Sequence, residues 1–226
     1  MAELLAARFR ITSIDQRGHG RAPKPPSGYA AADYARDIDE SVSEKTLLIG
    51  HSLGARNVLV AGARYPGKVA AVVAIDFTPY IEPEAFDALD ARVNGGDRSF
   101  DSLQEISSYL RQRYPRLPAD AVERRARHGY EHVEGKWRPL ALPAAMRETC
   151  KGLRQDLVPT VRDIHVPVLL LRGEDSKLVS REAWAKTRAL RPDIPAREIA
   201  RADHYVPEEQ PAAVAAEVLD FWDSIQ

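Results

Sequence analysis

Four short apolar runs govern what this chain can fold into. Ile11–Asp15 (ITSID), Thr46–Gly50 (TLLIG), Val69–Phe77 (VAAVVAIDF) and Val166–Gly173 (VPVLLLRG) are rich in Val, Ile and Leu and do not alternate cleanly with polar residues. Runs of this kind read as strands buried on both faces, which is the condition of a parallel sheet. Ala196–Ala200 is a weaker strand candidate. Between the runs lie helix-like stretches at Tyr29–Ser43, Leu53–Tyr65 and Glu208–Trp222, the last placing Val214, Val218 and Phe221 on one face. Strands alternating with helices predict an α/β fold with right-handed crossovers. From about Pro79 to about Thr160 the rhythm breaks, leaving prolines, glycines and helical patches such as Ser102–Arg113 and Ala119–Arg127. The expected organisation is a first core segment over 1–78, a mainly helical insertion over 79–160 and a second core segment over 161–226.

Composition narrows the function classes. The chain has 226 residues, 44% hydrophobic and 29% charged, which is ordinary globular usage. The balance of 32 basic against 33 acidic residues supplies no field for nucleic acid or an anionic membrane, so neither is an expected partner. No apolar run nears the roughly 18 residues of a membrane span. Met1–Arg10 has no apolar stretch of the secretory kind. Cys150 is the single cysteine, which excludes an internal disulfide and fits a reducing, cytoplasmic compartment.

The sharpest local signal is Gly50-His51-Ser52-Leu53-Gly54, a G-x-S-x-G sequence between the run TLLIG and an apolar helical stretch. A strand–turn–helix context strains the turn, aims Ser52 Oγ outward and leaves the Leu53 N–H facing a developing oxyanion. Asp15-Gln16-Arg17-Gly18-His19-Gly20-Arg21 follows ITSID, and Ala202-Asp203-His204-Tyr205-Val206-Pro207 precedes the last helix. Taken alone, the first is a Gly-rich turn and His204 a loop histidine.

Together these three segments resemble the α/β-hydrolase superfamily over nearly the whole chain, most closely small serine esterases and related lactone and C–C bond hydrolases with a helical lid. The resemblance implies an α/β-hydrolase fold, with Ser52 as nucleophile, His204 as base and a buried carboxylate orienting the imidazole. Two aspartates compete for that last role. Much of the family carries the acid in a G-x-x-D pattern after the strand matching Val166–Gly173, where this chain has Gly173-Glu174-Asp175-Ser176, with Asp175 one position early. A subset of small esterases instead has D-x-x-P after the preceding strand and G-x-x-S at the later position, matched here by Asp76-Phe77-Thr78-Pro79 and Gly173-Glu174-Asp175-Ser176. Asp76 is favoured, with Asp175 the alternative.

The resemblance also implies strands with which this sequence does not open. MAELLAARF reads as the tail of the helix before ITSID, and no His-Gly segment precedes Asp15. In the family that segment donates a second oxyanion N–H, and losing one such donor costs about 10²–10³ in turnover. The expectation is an amino-terminally shortened member with further residues upstream. The alternative is a rearranged sheet in which ITSID pairs directly with TLLIG.

The insertion would act as a lid over the carboxyl ends of the strands. It carries Arg111, Arg113, Arg116, Arg124, Arg125 and Arg127 against Asp120 and Glu123, a pattern that suits either an anionic substrate or a solvated helix face. His51, Tyr109 and Trp137 are candidate substrate-binding residues, although lid core fits the two aromatics as well. His19, His51 and His165 have no metal-ligand spacing, and no phosphate-binding Gly-rich sequence occurs, so no metal or cofactor is expected. The expected activity is hydrolysis of a small ester, lactone or related carbonyl substrate through an acyl-enzyme. A non-catalytic binding protein and an acyltransferase on the same triad are the alternatives.

Overall fold

The computed structural model describes residues 1–94 and 98–226. In chain order the elements are α1 (Ala2–Leu5), α2 (Ala31–Ser41), β1 (Thr46–His51), α3 (Leu53–Arg64), β2 (Val69–Ile75), α4 (Pro83–Asn94), α5 (Leu103–Arg113) and α6 (Ala119–His128). They continue with β3 (Tyr130–Val133), β4 (Lys136–Pro139), α7 (Pro143–Leu153), α8 (Val158–Asp163), β5 (Val168–Gly173), α9 (Arg181–Leu190), β6 (Ala196–Ile199), α10 (Val206–Glu209) and α11 (Pro211–Ser224). The chain forms two compact units, one of Met1–Ser13, Ala30–Ala85 and Gln155–Gln226, the other of Ile14–Tyr29 and Phe86–Arg154.

The first unit is built on a sheet of order β1-β2-β5-β6, parallel throughout. Its central strands lack alternation because both faces are covered. Val72, Ala74, Val168 and Leu170 face a layer containing Ala35 and Ile38 of α2, Leu59 of α3, Val161 of α8 and Trp184 of α9. Ala71, Val73, Ile75, Leu169 and Leu171 face the other layer, with Leu5 of α1 and Val214, Val218 and Phe221 of α11. Truncating one of the fully buried leucines of β5 to alanine would cost about 2–5 kcal/mol in transfer and cavity terms.

Ile11–Asp15 departs from expectation and forms no strand. A strand persists only where a ladder satisfies its N–H and C=O groups. Here β1 ladders with β2, and among the described residues no strand pairs with residues 11–15, which lie exposed in a loop. The direct pairing with Thr46–Gly50 is therefore not realised. The last helix also differs, because Pro211, which has no N–H to donate, begins α11 as a separate helix after α10.

In the second unit Ile14–Tyr29 is loop and turn, while Phe86–Arg154 carries helices and a hairpin that the apolar pattern did not reveal. β3 and β4 pair antiparallel with His132 opposite Trp137. Their two-residue turn, Glu134-Gly135, has φ of 51° and 77°, the left-handed pair that closes a tight hairpin. α5 starts where Ser102 Oγ accepts the Glu105 N–H at 3.2 Å, a side-chain cap on an otherwise unpaired helix N-terminus. Among the described residues no helix is long and apolar enough to cross a membrane.

Candidate active site

Ser52, Asp76 and His204 each follow the carboxyl end of a strand of the first unit's sheet. Ser52 ends β1 and caps α3 with φ 54° and ψ −116°, a conformation L-residues avoid and that persists only where the surroundings enforce it. Two contacts enforce it. The Ser52 N–H extends the ladder to Ile75 O at 2.9 Å. The turn then closes so tightly that a Cβ at Gly50 would lie 2.2 Å from Gly54 O, so only glycine fits. The first hydrogen bond of α3 runs from Arg56 N to Ser52 O at 3.1 Å. The N–H groups of Leu53, Gly54 and Ala55 thus belong to the helix start, where backbone donors lack intrahelical partners and the helix dipole favours negative charge.

One strand over, Asp76 follows β2 in the left-handed region (φ 52°), held by its N–H to Leu171 O at 2.7 Å. Its side chain is wholly buried, a placement that costs several kcal/mol unless each oxygen is hydrogen-bonded. Oδ1 accepts the Gly173 N–H at 3.0 Å, while Oδ2 accepts the Ser176 hydroxyl at 2.7 Å and faces His204 Nδ1 at 2.8 Å. A carboxylate only accepts, so Nδ1 carries the proton and Nε2 is left as the basic nitrogen of the neutral ring.

His204 sits on the loop between β6 and α10. Asp203 Oδ1 accepts the N–H groups of both His204 (2.8 Å) and Lys177 (3.2 Å), and Asp203 N donates to Glu209 Oε2 at 3.0 Å. The loop closes directly over the end of β5, where a Cβ at Gly173 would meet Asp203 O at 2.3 Å. His51 ties the elbow to this loop. Its Nε2–H donates to the His204 carbonyl at 2.6 Å, and the two imidazoles pack 4.8 Å apart. The side chain next to the elbow serine therefore touches the residue whose imidazole Asp76 orients.

Asp175, the competing acid, is exposed, and its N–H donates to Ala202 O at 2.9 Å. Tyr109 and Trp137 belong to the second unit. Tyr109 packs on Phe100 at 5.2 Å beneath the guanidinium groups of Arg98 (5.1 Å) and Arg113 (5.5 Å). Trp137 bridges to Phe100 through the backbone and packs against His132 at 5.2 Å. Arg125 lies over Tyr114 at 4.9 Å, and burial among neighbouring tyrosines pushes Tyr130 up to about 12. Arg124 pairs with Asp120 at 2.5 Å. His19 is also in this unit, its Nδ1 3.1 Å from Arg17 O. Among the described residues no three His, Cys, Asp or Glu side chains are grouped to hold a metal. Gly173, Ser176 and Asp203 lie inside segments singled out from the sequence, but no site role was expected of them; G-x-x-S over 173–176 was the signal for two of them.

The Alpha/beta hydrolase family model matches residues 1–217. The chain is 52% identical over 224 residues to a 2-(acetamidomethylene)succinate hydrolase of Mesorhizobium japonicum, covering 97% of this chain and 81% of that protein. A crystal structure of an E-2-(acetamidomethylene)succinate hydrolase superposes with a TM-score of 0.95 at 52% identity, over 97% of this chain and 83% of that one. A bifunctional esterase/perhydrolase of Acinetobacter calcoaceticus is 30% identical over 84% of this chain and 72% of its own length.

Proposed function

Because the chain belongs to the α/β-hydrolase family and is a hydrolase, we propose that it cleaves a small carboxylate-bearing amide or ester by acyl transfer through Ser52, His204 and Asp76. Its being an enzyme sets aside the non-catalytic binding protein considered from the sequence. In the proposed mechanism His204 Nε2 takes the Ser52 proton as Oγ attacks the carbonyl carbon. Asp76 holds the imidazole in the required tautomer and stabilises the imidazolium. The Leu53 N–H, at the start of α3, donates to the tetrahedral oxyanion. The leaving group takes the proton from His204, and a water activated by the same nitrogen then releases the acid from the acyl-enzyme.

The observation that carries this reading is the 2.8 Å contact between His204 Nδ1 and the fully buried Asp76 carboxylate, one strand away from the strained elbow. The substrate class rests on the 52% identical relative, whose name contains an amide carbonyl and two carboxylates.

A fluorophosphonate probe should label Ser52 and no residue in Ser52→Ala. Asp76→Asn should lower turnover about 10⁴-fold, since the amide favours the wrong tautomer, whereas Asp175→Asn should stay within a few-fold of wild type. The reverse ranking of the two aspartate variants rejects the assignment.

A further inference from the structure

α4 is a helix without a buried face. Ala85, Phe86, Leu89, Asp90 and Val93 are half-buried, and its other side chains up to Val93 are exposed. Most helical stability in a protein comes from packing an apolar face. An element lacking that burial belongs to the weakly held end of a fold and must be fastened by other contacts.

The end of α7 supplies those contacts. Arg154, the C-cap of α7, donates from Nη2 to Asp87 Oδ1 at 2.9 Å and to Asp90 Oδ2 at 2.8 Å. Its guanidinium also lies over the Phe86 ring, 5.3 Å from the centroid. One turn earlier on the same face of α7, the Cys150 thiol donates to the Asp90 carboxylate. A planar guanidinium suits this place, because its donor fork spans two carboxylates while its face stacks on a ring. Phe86 opens and Arg154 closes the long segment of the second unit, so one side chain joins the two ends of that segment. The far end of α4 has a separate hold, with Arg113 Nη2 donating to the Arg92 carbonyl at 3.2 Å.

Exposure sets the strength of this fastening. The Arg154 side chain is 43% exposed and that of Asp87 73%, so dissolved ions reach the pair and screen it. Cys150, the single cysteine of the chain, is by contrast 5% exposed. Burial foremost, and then the Asp90 carboxylate, pushes its thiol up to about 11. A masked thiol therefore lies against a helix whose principal ties are ones that salt loosens.

We infer that α4 is a releasable strap, latched by Arg154 onto Asp87 and Asp90, and that salt opens the latch and uncovers Cys150 while the sheet stays folded. The inference is independent of the chemistry proposed for Ser52, His204 and Asp76.

The test follows alkylation of Cys150 by iodoacetamide, in which the thiolate sulfur displaces iodide from carbon. Each rate is divided by that of the urea-unfolded chain at the same pH and salt. The reagent is uncharged, so salt does not steer its approach. Wild type should react about 10-fold faster in about 1 M KCl than in about 0.05 M. At the lower salt Arg154→Gln should react about 10-fold faster than wild type, and added salt should change it little. Loss of a neighbouring guanidinium by itself raises the thiol's pKa and slows alkylation, so acceleration reports exposure. Asp87→Asn, at a residue that does not act on the thiol, should fall between the two. Should Arg154→Gln lose its native circular dichroism, the wild-type salt series and Asp87→Asn decide. Hydrogen exchange should quicken in α4 and stay slow in β1, β2 and β5. A wild-type rate indifferent to salt, or low-salt variant rates equal to wild type, overturns the inference. Equal quickening of the sheet amides also overturns it, for the thiol is then reached by global unfolding.

Discussion

Gly173→Ala isolates the dependence of turnover on the closeness of the histidine loop to the sheet. The added Cβ would lie 2.3 Å from Asp203 O, 2.7 Å from Ala202 O and 3.0 Å from Asp203 C. All three are backbone atoms of the segment that positions His204, so no side chain can swing aside to relieve the clash. Restoring ordinary contact at about 3.4 Å moves the Asp203 carbonyl by about 1.1 Å, and His204 is the next residue. The Gly173 N–H remains available to Asp76 Oδ1, so the perturbation falls on the imidazole rather than on the acid. Displacements near 1 Å in catalytic groups cost about 10²-fold in rate. The overpacking penalty is about 1–3 kcal/mol, a fall of a few degrees in Tm. The assay is hydrolysis of p-nitrophenyl acetate beside a thermal melt, with Gly67→Ala as control, because a Cβ at Gly67 meets nothing within 4 Å. We expect kcat about 100-fold below wild type in Gly173→Ala and unchanged in the control. A Gly173→Ala variant that melts near wild type and retains full turnover would refute the claim that loop closeness sets the rate.

Two further outcomes follow from contacts of particular histidines. His51→Phe keeps a ring against His204 but removes the Nε2–H donor to its carbonyl; at about 1 kcal/mol for one hydrogen bond, kcat should fall about 5-fold at constant KM. A variant indistinguishable from wild type in steady-state kinetics rejects that link. Burial holds the His19 pKa below 6.5, with the Arg17 carbonyl and Asp15 opposing that shift and Lys24 adding to it. The folded state therefore resists protonation. Below pH 6.5 the unfolded chain binds the extra proton, and stability falls with pH until the folded histidine also titrates. His19→Gln should flatten the decline of Tm between about pH 6.5 and 5, and a decline parallel to wild type counts against this account.

Much of the architecture was legible because the signals were local and strong. β2 and β5 read as doubly buried strands from apolar runs without polar alternation, and both faces are indeed covered. The elbow was legible because the glycine at 50 answers a steric demand of the turn itself, where a side chain would strike the Gly54 backbone. Ile11–Asp15 shows where composition fails, since β-branched residues permit a strand but only a neighbouring ladder makes one. The β3–β4 hairpin went unread for the opposite reason. Its strands are four residues long and its turn, Glu134-Gly135, has Glu where Asn or Asp would be the stronger signal. At the site, the 128 residues separating Asp76 and His204 hide their contact from any local pattern, and the resemblance to a family supplied the pairing. Ser176 lay within a segment already noticed for its spacing, yet only the hydrogen bonds reveal what its hydroxyl touches.

The parallel order β1-β2-β5-β6 places serine, aspartate and imidazole on the turns after β1, β2 and β6, which no short stretch of chain can assemble. During refolding the bend at Ser52 can form early, because its strand and helix are contiguous. The Asp76 contacts need β5 in place, and the His204 loop needs β6, a four-residue strand at the sheet's margin. Long closures of this kind are slow relative to helix formation. Recovered turnover should consequently lag recovered ellipticity, making hydrolase activity a late clock for the assembly of this molecule.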